Sequence, residues 1–266
     1  MSNSRSFDRA ANVYDQTRLL PEPIVKYGIP AILDAIGSTA RVLEVGSGTG
    51  RISVPLLERG VDLIGCDLSS QMLTRFQQKF PSARITQADA SQLPFPTSHF
   101  DVVLTVHVMH LIPLWRETLR EFQRVLIPGG AYLNVSTWAS VGSSVAEQIR
   151  NFWRGWLAAN GVEAGHPGVR DNADLLQELR SLGAIVSEVE AVRYADAFSL
   201  REEFERFESR VYSYTWDIPD ALYDASVKEL HAWMTHEYGN LDQEIKNDVR
   251  CVIYVARFDE YKKAEV

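Results

Sequence analysis

The sequence predicts an α/β protein built on a doubly wound parallel sheet. Three observations carry this. Short β-branched runs alternate with amphipathic stretches from Arg41 to Asn134, a glycine-rich turn leads from the first run straight into a helical pattern, and successive apolar runs end in carboxylates. Parallel strands need crossovers, and right-handed crossovers put helices on both faces of the sheet.

The elements follow in chain order. Residues up to about Ile36 read as helical and precede the sheet. RVLEV, residues 41–45, is the first strand, and Ile52 to Arg59 is the helix after it. VDLIGCD (61–67) is the second strand, followed by a helix from Ser70 to Phe80 that the cap-like Ser69 opens. ARITQAD (83–89) and FDVVLTV (100–106) are the third and fourth strands. The helix Leu114 to Leu126 stops at Pro128-Gly129-Gly130, and AYLNVST (131–137) is the fifth strand. Beyond Thr137 the chain is rich in Trp and Gly and lacks strand alternation until a helix at Asn172 to Leu182 and a strand at AIVSEVEAVRY (184–194). From Phe198 through Tyr238 aromatic and charged residues recur at helical spacing, and RCVIYVARF (250–258) returns to strand. The expected organisation is a single domain over residues 1–266. Its core spans 37–137, 171–195 and 249–266, and a helical lid or cap is made by 1–36, 138–170 and 196–248.

Composition narrows the function classes. The chain has 266 residues, 45% hydrophobic and 23% charged, enough to bury a full core without disulfides or structural metals. Its formal charge of -8 would repel a polyanion, so no nucleic-acid partner is expected. Cys66 and Cys251 form no CxxC unit and read as free thiols of a reducing compartment, hence a cytoplasmic location. The longest apolar run, Val102 to Pro113, is broken by His107 and His110 and falls short of the ~20 residues of a membrane span.

The chemistry concentrates in VLEVGSGTGRISVPLLERG, where Gly46, Gly48 and Gly50 let a ligand approach the backbone at a helix N-terminus. Taken alone, such a loop can also be a tight turn needing positive φ. A dinucleotide fingerprint would read GxGxxG, but position 51 is Arg. Asp67 closes the next strand about 20 residues downstream, where a carboxylate accepts hydrogen bonds from both ribose hydroxyls. Asp89, before Ala90, ends the third run at the same sheet edge; separately, each aspartate is also an ordinary strand-end cap.

EVGSGTG, followed by GCDLSSQML, QADASQLPF, FDVVLTVHVMHLI and FQRVLIPGGAYLNV, resembles the ordered motif set of class I S-adenosylmethionine-dependent methyltransferases over roughly residues 41–137. FDRAANVYDQTR resembles the leader of their small-molecule, ubiquinone-biosynthesis-like (type 11) branch. The resemblance implies a Rossmann-like seven-stranded sheet whose last strand, VRCVIYVARF, is antiparallel. It also implies S-adenosyl-L-methionine as cofactor, with S-adenosyl-L-homocysteine as product. Glu44, Gly46, Ser47, Gly48 and Gly50 would flank the methionine part, Asp67 would bind ribose, and Leu68 and Met72 would touch adenine. Asp89 and Ala90 would face the adenine amino group, and Val106 would complete the set. Members that methylate nucleobase amines carry an (N/D/S)PP(Y/F) tetrapeptide after the fourth strand. This chain has Val106-His107-Val108-Met109-His110, which disfavours that acceptor.

His107 and His110 stand near the expected methyl group as candidate proton acceptors, or else as hydrogen-bonded wall residues. Tyr14 and Arg18, four apart, share a helix face: Tyr14 as a lid over the cofactor and Arg18 on its carboxylate, or a packed tyrosine and a solvated arginine. Trp138, Tyr214 and Trp216 are candidates for the acceptor pocket among aromatics that mostly form core. No metal is expected, because His231 and His236 lack neighbouring ligands at facing spacing. The reading is methyl transfer from S-adenosylmethionine to an O, N or C nucleophile of a small-molecule acceptor. The rivals are a nicotinamide-dependent oxidoreductase and a non-catalytic S-adenosylmethionine-binding protein.

Overall fold

The computed structural model describes residues 6–8, 11, 14–140 and 144–258, with only the backbone described at 16–17 and 137–140. Seven strands form one sheet: β1 (Arg41–Val45), β2 (Asp62–Asp67), β3 (Arg84–Gln87), β4 (Phe100–Val106), β5 (Leu126–Ser140), β6 (Ala184–Ser199) and β7 (Glu244–Phe258). Their order is β3-β2-β1-β4-β5-β7-β6. β1 pairs in parallel with β2 and β4, which in turn pair in parallel with β3 and β5; the last strand is the antiparallel one. The expected fold class is therefore the one observed.

The helices are α1 (Tyr14–Thr17), α2 (Ile29–Ile36), α3 (Ser53–Leu57), α4 (Ser70–Lys79), α5 (Trp115–Val125), α6 (Val145–Ala159), α7 (Asn172–Ser181), α8 (Leu200–Glu208) and α9 (Asp220–Tyr238). Ser69 does cap α4, accepting from Met72 N at 3.1 Å. On α5, Trp115, Leu119, Phe122 and Val125 repeat at helical spacing and are buried against the sheet, where Phe122 meets Tyr132 at 5.1 Å. Fully burying each such side chain contributes about 1.5–3 kcal/mol. None of the helices among the described residues is long and apolar enough to cross a membrane.

Strand ends differ from the sequence reading at β5, β6 and β7, and β6 runs on past Tyr194 to Ser199. β5 begins at Leu126 and absorbs Pro128-Gly129-Gly130 as an irregularity, with a register shift against Phe100 and Val102, because Gly129 takes φ +80° and keeps the chain at the sheet. β7 begins at Glu244, ahead of the apolar run Cys251–Ala256 that betrays it in sequence.

The chain forms two compact units. The first comprises residues 1–137, 167–192 and 251–266; the second comprises 138–166 and 193–250. The core of the first lies between the sheet and its helices, around Leu43, Val103, Leu119, Phe122 and Tyr132. The second is a helical cluster on Trp153, Phe207, Leu230 and Met234, in which Trp153 Nε1 donates to Ser226 Oγ at 3.0 Å.

Candidate functional site

The sheet order places β1 beside both β2 and β4, so the chain winds away in opposite directions on either side of it. Open α/β sheets bind ligands at the carboxyl ends of the strands at such a point. The turn after β1 occupies that place. Gly46 N and Ser47 N both donate to Cys66 O, which hangs the turn on β2. Gly46, Gly48 and Gly50 take φ of +74°, +56° and +76°, the left-handed region that glycine enters without strain. Gly46 lies so close to Val108, and Gly50 to Phe76, that a Cβ would collide with those side chains, whereas a Cβ on Gly48 would meet nothing within 4 Å.

That open backbone faces a cavity of about 90 Å³ lined entirely by the first unit. Gly46, Gly48, Asp67, Leu68, Met72, Asp89, Ala90 and Val106 are all in its wall, with Tyr14 and Phe7 from the leader and His107, Val108 and Ile112 beyond β4. Asp67 Oδ2 accepts from Gly48 N and Oδ1 from Ser69 N, both at 2.8 Å. Burial raises its pKa, opposed by those backbone donors. Asp89 Oδ1 accepts from Ser91 N and Oγ.

Other expected residues stand behind or away from the wall. Gly50 packs under the turn on Phe76, and Ser47 is buried, its Oγ without a hydrogen-bond partner among the described residues. Glu44 is 2% exposed, accepts from Ser53 Oγ and does not line the cavity. Arg18 gives its carbonyl to Arg51 and lines neither this cavity nor its neighbour. Tyr214 and Trp216 belong to the second unit: Tyr214 stacks on Tyr212 at 5.3 Å, and Trp216 Nε1 donates to Arg210 O. The side chain of Trp138 lies outside the described residues.

A second cavity, of about 300 Å³ and also wholly in the first unit, shares His107 and Val108 with the first. His110 lines it too. Burial, with the nearby charges of Arg51 and Arg18, holds the His107 imidazole well below its ordinary pKa. Burial and then Arg18 bring His110 down to about 4. Both rings are therefore neutral at pH 7, each with an unprotonated ring nitrogen, and the same burial weakens them as bases. His107 also takes φ +55°, a left-handed conformation uncommon for a residue with a side chain.

The sequence reading missed how the leader is fastened. Asp8 Oδ1 accepts from Ser69 Oγ at 2.5 Å, and Asp15 accepts from Thr49 Oγ1 at 2.6 Å while pairing with Lys79 at 2.7 Å. These two acids tie Phe7 and Tyr14, ring centroids 6.2 Å apart, to the glycine turn and α4. Two acids seven residues apart carry no motif of their own, so only their distant partners reveal them.

Glu44 gives a direct test of the buried turn. Burial pushes its carboxyl up to about 8, with Ser53 and Arg51 acting in the other direction. The folded chain thus keeps a proton that the unfolded chain releases near 4.5, so this stabilisation is full below pH 4.5 and declines as pH rises to 8. Glu44→Gln keeps the shape and removes the titration. Denaturant midpoints from pH 5 to 8 should fall more steeply for the parent than for the variant, by up to about 1.4 kcal/mol per pH unit. Parallel curves would mean that the carboxylate is ionised in the folded protein.

Residues 43–134 match the family described as "Methyltransferase domain". The chain is 33% identical over 140 residues to a demethylmenaquinone methyltransferase of Beutenbergia cavernae, an alignment covering 50% of this chain and 58% of that one. It spans about half the length of the curated relatives it matches. Among solved structures, the YcgJ protein of Bacillus subtilis superposes with a TM-score of 0.61 at 17% identity, covering 88% of this chain and 98% of that chain. A Haemonchus contortus phosphoethanolamine N-methyltransferase 2 in complex with S-adenosyl-L-methionine does so with 0.53 at 19% identity, covering 95% of this chain and 57% of that chain.

Proposed function

We propose that this chain is a class I S-adenosylmethionine-dependent methyltransferase that transfers a methyl group to an O, N or C nucleophile of a small-molecule acceptor. S-adenosylmethionine is the family's cofactor, and the residues present suit it. The observation that carries the reading is the pairing of Asp67 with Gly48 at the wall of the first cavity. Each Asp67 oxygen spends one lone pair on a backbone N–H and keeps another for a ribose hydroxyl, while Gly48 leaves open space where any side chain would intrude. Leu68, Met72, Ala90 and Val106 give apolar walls for a flat base, with Asp89 at its edge. The buried Ser47 hydroxyl is a polar group held ready at the turn. Tyr14 and Phe7 complete the wall.

The cofactor supplies an electrophilic methyl on a sulfonium; when the acceptor's lone pair bonds to that carbon, the C–S pair stays on sulfur and S-adenosylhomocysteine remains. The protein's own part is to orient, to exclude water and to receive a proton. Neutral His107, in the wall of both cavities, and His110 beside it are the groups assigned to that proton. Arg18, whose charge acts on both imidazoles, and Arg51, whose charge acts on His107, favour a nucleophile that is becoming anionic.

Calorimetry tests the reading. S-adenosylmethionine and S-adenosylhomocysteine should both bind saturably, and NAD should not, since Arg51 stands where a dinucleotide loop would continue. Tighter binding of NAD than of either adenosyl ligand would make the chain a nucleotide oxidoreductase instead.

A further inference from the structure

The second cavity has a wall unlike that of the first. Its volume, about 300 Å³, lies at the lower end of the range for small-molecule pockets, and it is separated from the first cavity by the shared His107 and Val108. The remaining lining is largely hydrophilic. Asn134, 6% exposed on β5, accepts at its Oδ1 from Thr105 Oγ1 at 3.0 Å, and Thr105 is itself held by Tyr132 Oη at 2.8 Å. This relay leaves the Asn134 amide NH₂ as a donor on the cavity side. Ser136 and Asn172 add further hydrogen-bonding groups. An apolar chain lodged here would strip water from these groups and return no hydrogen bonds.

Charge sharpens the class. Arg170 is in the wall and exposed, and makes no ion pair among the described residues. The neighbouring Asp171 is engaged as the N-cap of α7, accepting from Ala173 N at 2.9 Å. A planar guanidinium and an amide donor lining one cavity offer it the N–H groups that an oxyanion accepts.

We propose that this cavity is the acceptor subsite, and that its occupant is a small hydrophilic molecule bearing a carboxylate or phosphate, held by Arg170 and Asn134. The inference rests on the methyl-transfer reading. It places the acceptor's nucleophilic atom at the His107 side, where its lone pair forms the new bond to the methyl carbon. The C–S bond breaks with its electrons left on sulfur, and the acceptor's proton passes to the His107 or His110 imidazole.

The test uses the full chain saturated with S-adenosylhomocysteine and labelled with ¹⁵N in its histidine rings. Inorganic phosphate, malonate and, as a neutral hydrophilic control, glycerol are titrated while the ring signals of His107 and His110 are followed. Phosphate or malonate should shift them saturably, at least ten-fold more weakly in Arg170→Met, and glycerol should not; the tighter of the two anions identifies the source of the oxyanion. A flat response, equal affinity in Arg170→Met, or an equal effect of glycerol would overturn the subsite. Failure of S-adenosylhomocysteine to bind in the calorimeter would instead defeat the methyl-transfer reading on which it rests.

Discussion

Asp67→Ala is expected to weaken S-adenosylhomocysteine binding by about 10²- to 10⁴-fold. The estimate follows from two charge-assisted hydrogen bonds to ribose at about 1.5–3 kcal/mol each, with 1.4 kcal/mol per factor of ten. Two further consequences come from the structure. Gly48 N and Ser69 N lose their acceptor, so the glycine turn and the start of α4 loosen together. Asp67→Asn keeps one carbonyl oxygen for one of these donors and should fall between the alanine variant and the parent. Calorimetry on variants first shown to be folded by circular dichroism measures the effect. A folded alanine variant with the parent's affinity would place the ribose elsewhere.

Gly168→Ala should cost about 3 kcal/mol or more of stability and disorganise the second cavity. Gly168 N donates to His110 O at 2.9 Å and Val169 N to Met109 O at 3.1 Å, so two stretches of backbone lie against each other. A Cβ on Gly168 would collide with the Met109 carbonyl oxygen and stand 2.7 Å from that of Ile112. Neither is the end of a flexible side chain, so relief requires moving the backbone that carries His110. For a chain of this size the loss corresponds to a fall in Tm of about 6–12 °C. Gly165→Ala is the control, since nothing lies within 4 Å of its notional Cβ and it should stay within about 0.5 kcal/mol of the parent. Equal melting temperatures for the two variants would show that the 108–112 loop is not held by Gly168.

Much of the first cavity was legible because its parts are local. A strand of apolar residues, glycines at fixed offsets, a serine cap and a carboxylate at the end of the next strand each declare themselves within a few residues, and the backbone then has little choice. Gly46, Gly48, Asp67, Leu68, Met72, Asp89, Ala90 and Val106 meet at one wall because parallel strands end at one edge. Glu44 shows the limit of such reasoning. In sequence it adjoins Val45, which lines the cavity, yet successive side chains alternate across a strand, and its own points into the buried layer with Ser53.

The second cavity could not be read in advance. Asn134 and Ser136 come from β5, while Arg170 and Asn172 come from the entry to α7 and reach them only through the backbone contact at Gly168 and Val169. Nothing in the spacing of those residues announces it. By itself, then, the sequence determined the fold class and the sheet edge that carries the glycine turn and the strand-end carboxylates, because periodicity and turn chemistry are short-range constraints that leave a pattern. The tertiary structure alone decided which histidines line the cavities, how Asp8 and Asp15 tie the leader to the turn, and which donors share a cavity with His107. Those depend on contacts between residues tens of positions apart, whose free energies are set by burial and mutual geometry and leave no periodic trace in the chain.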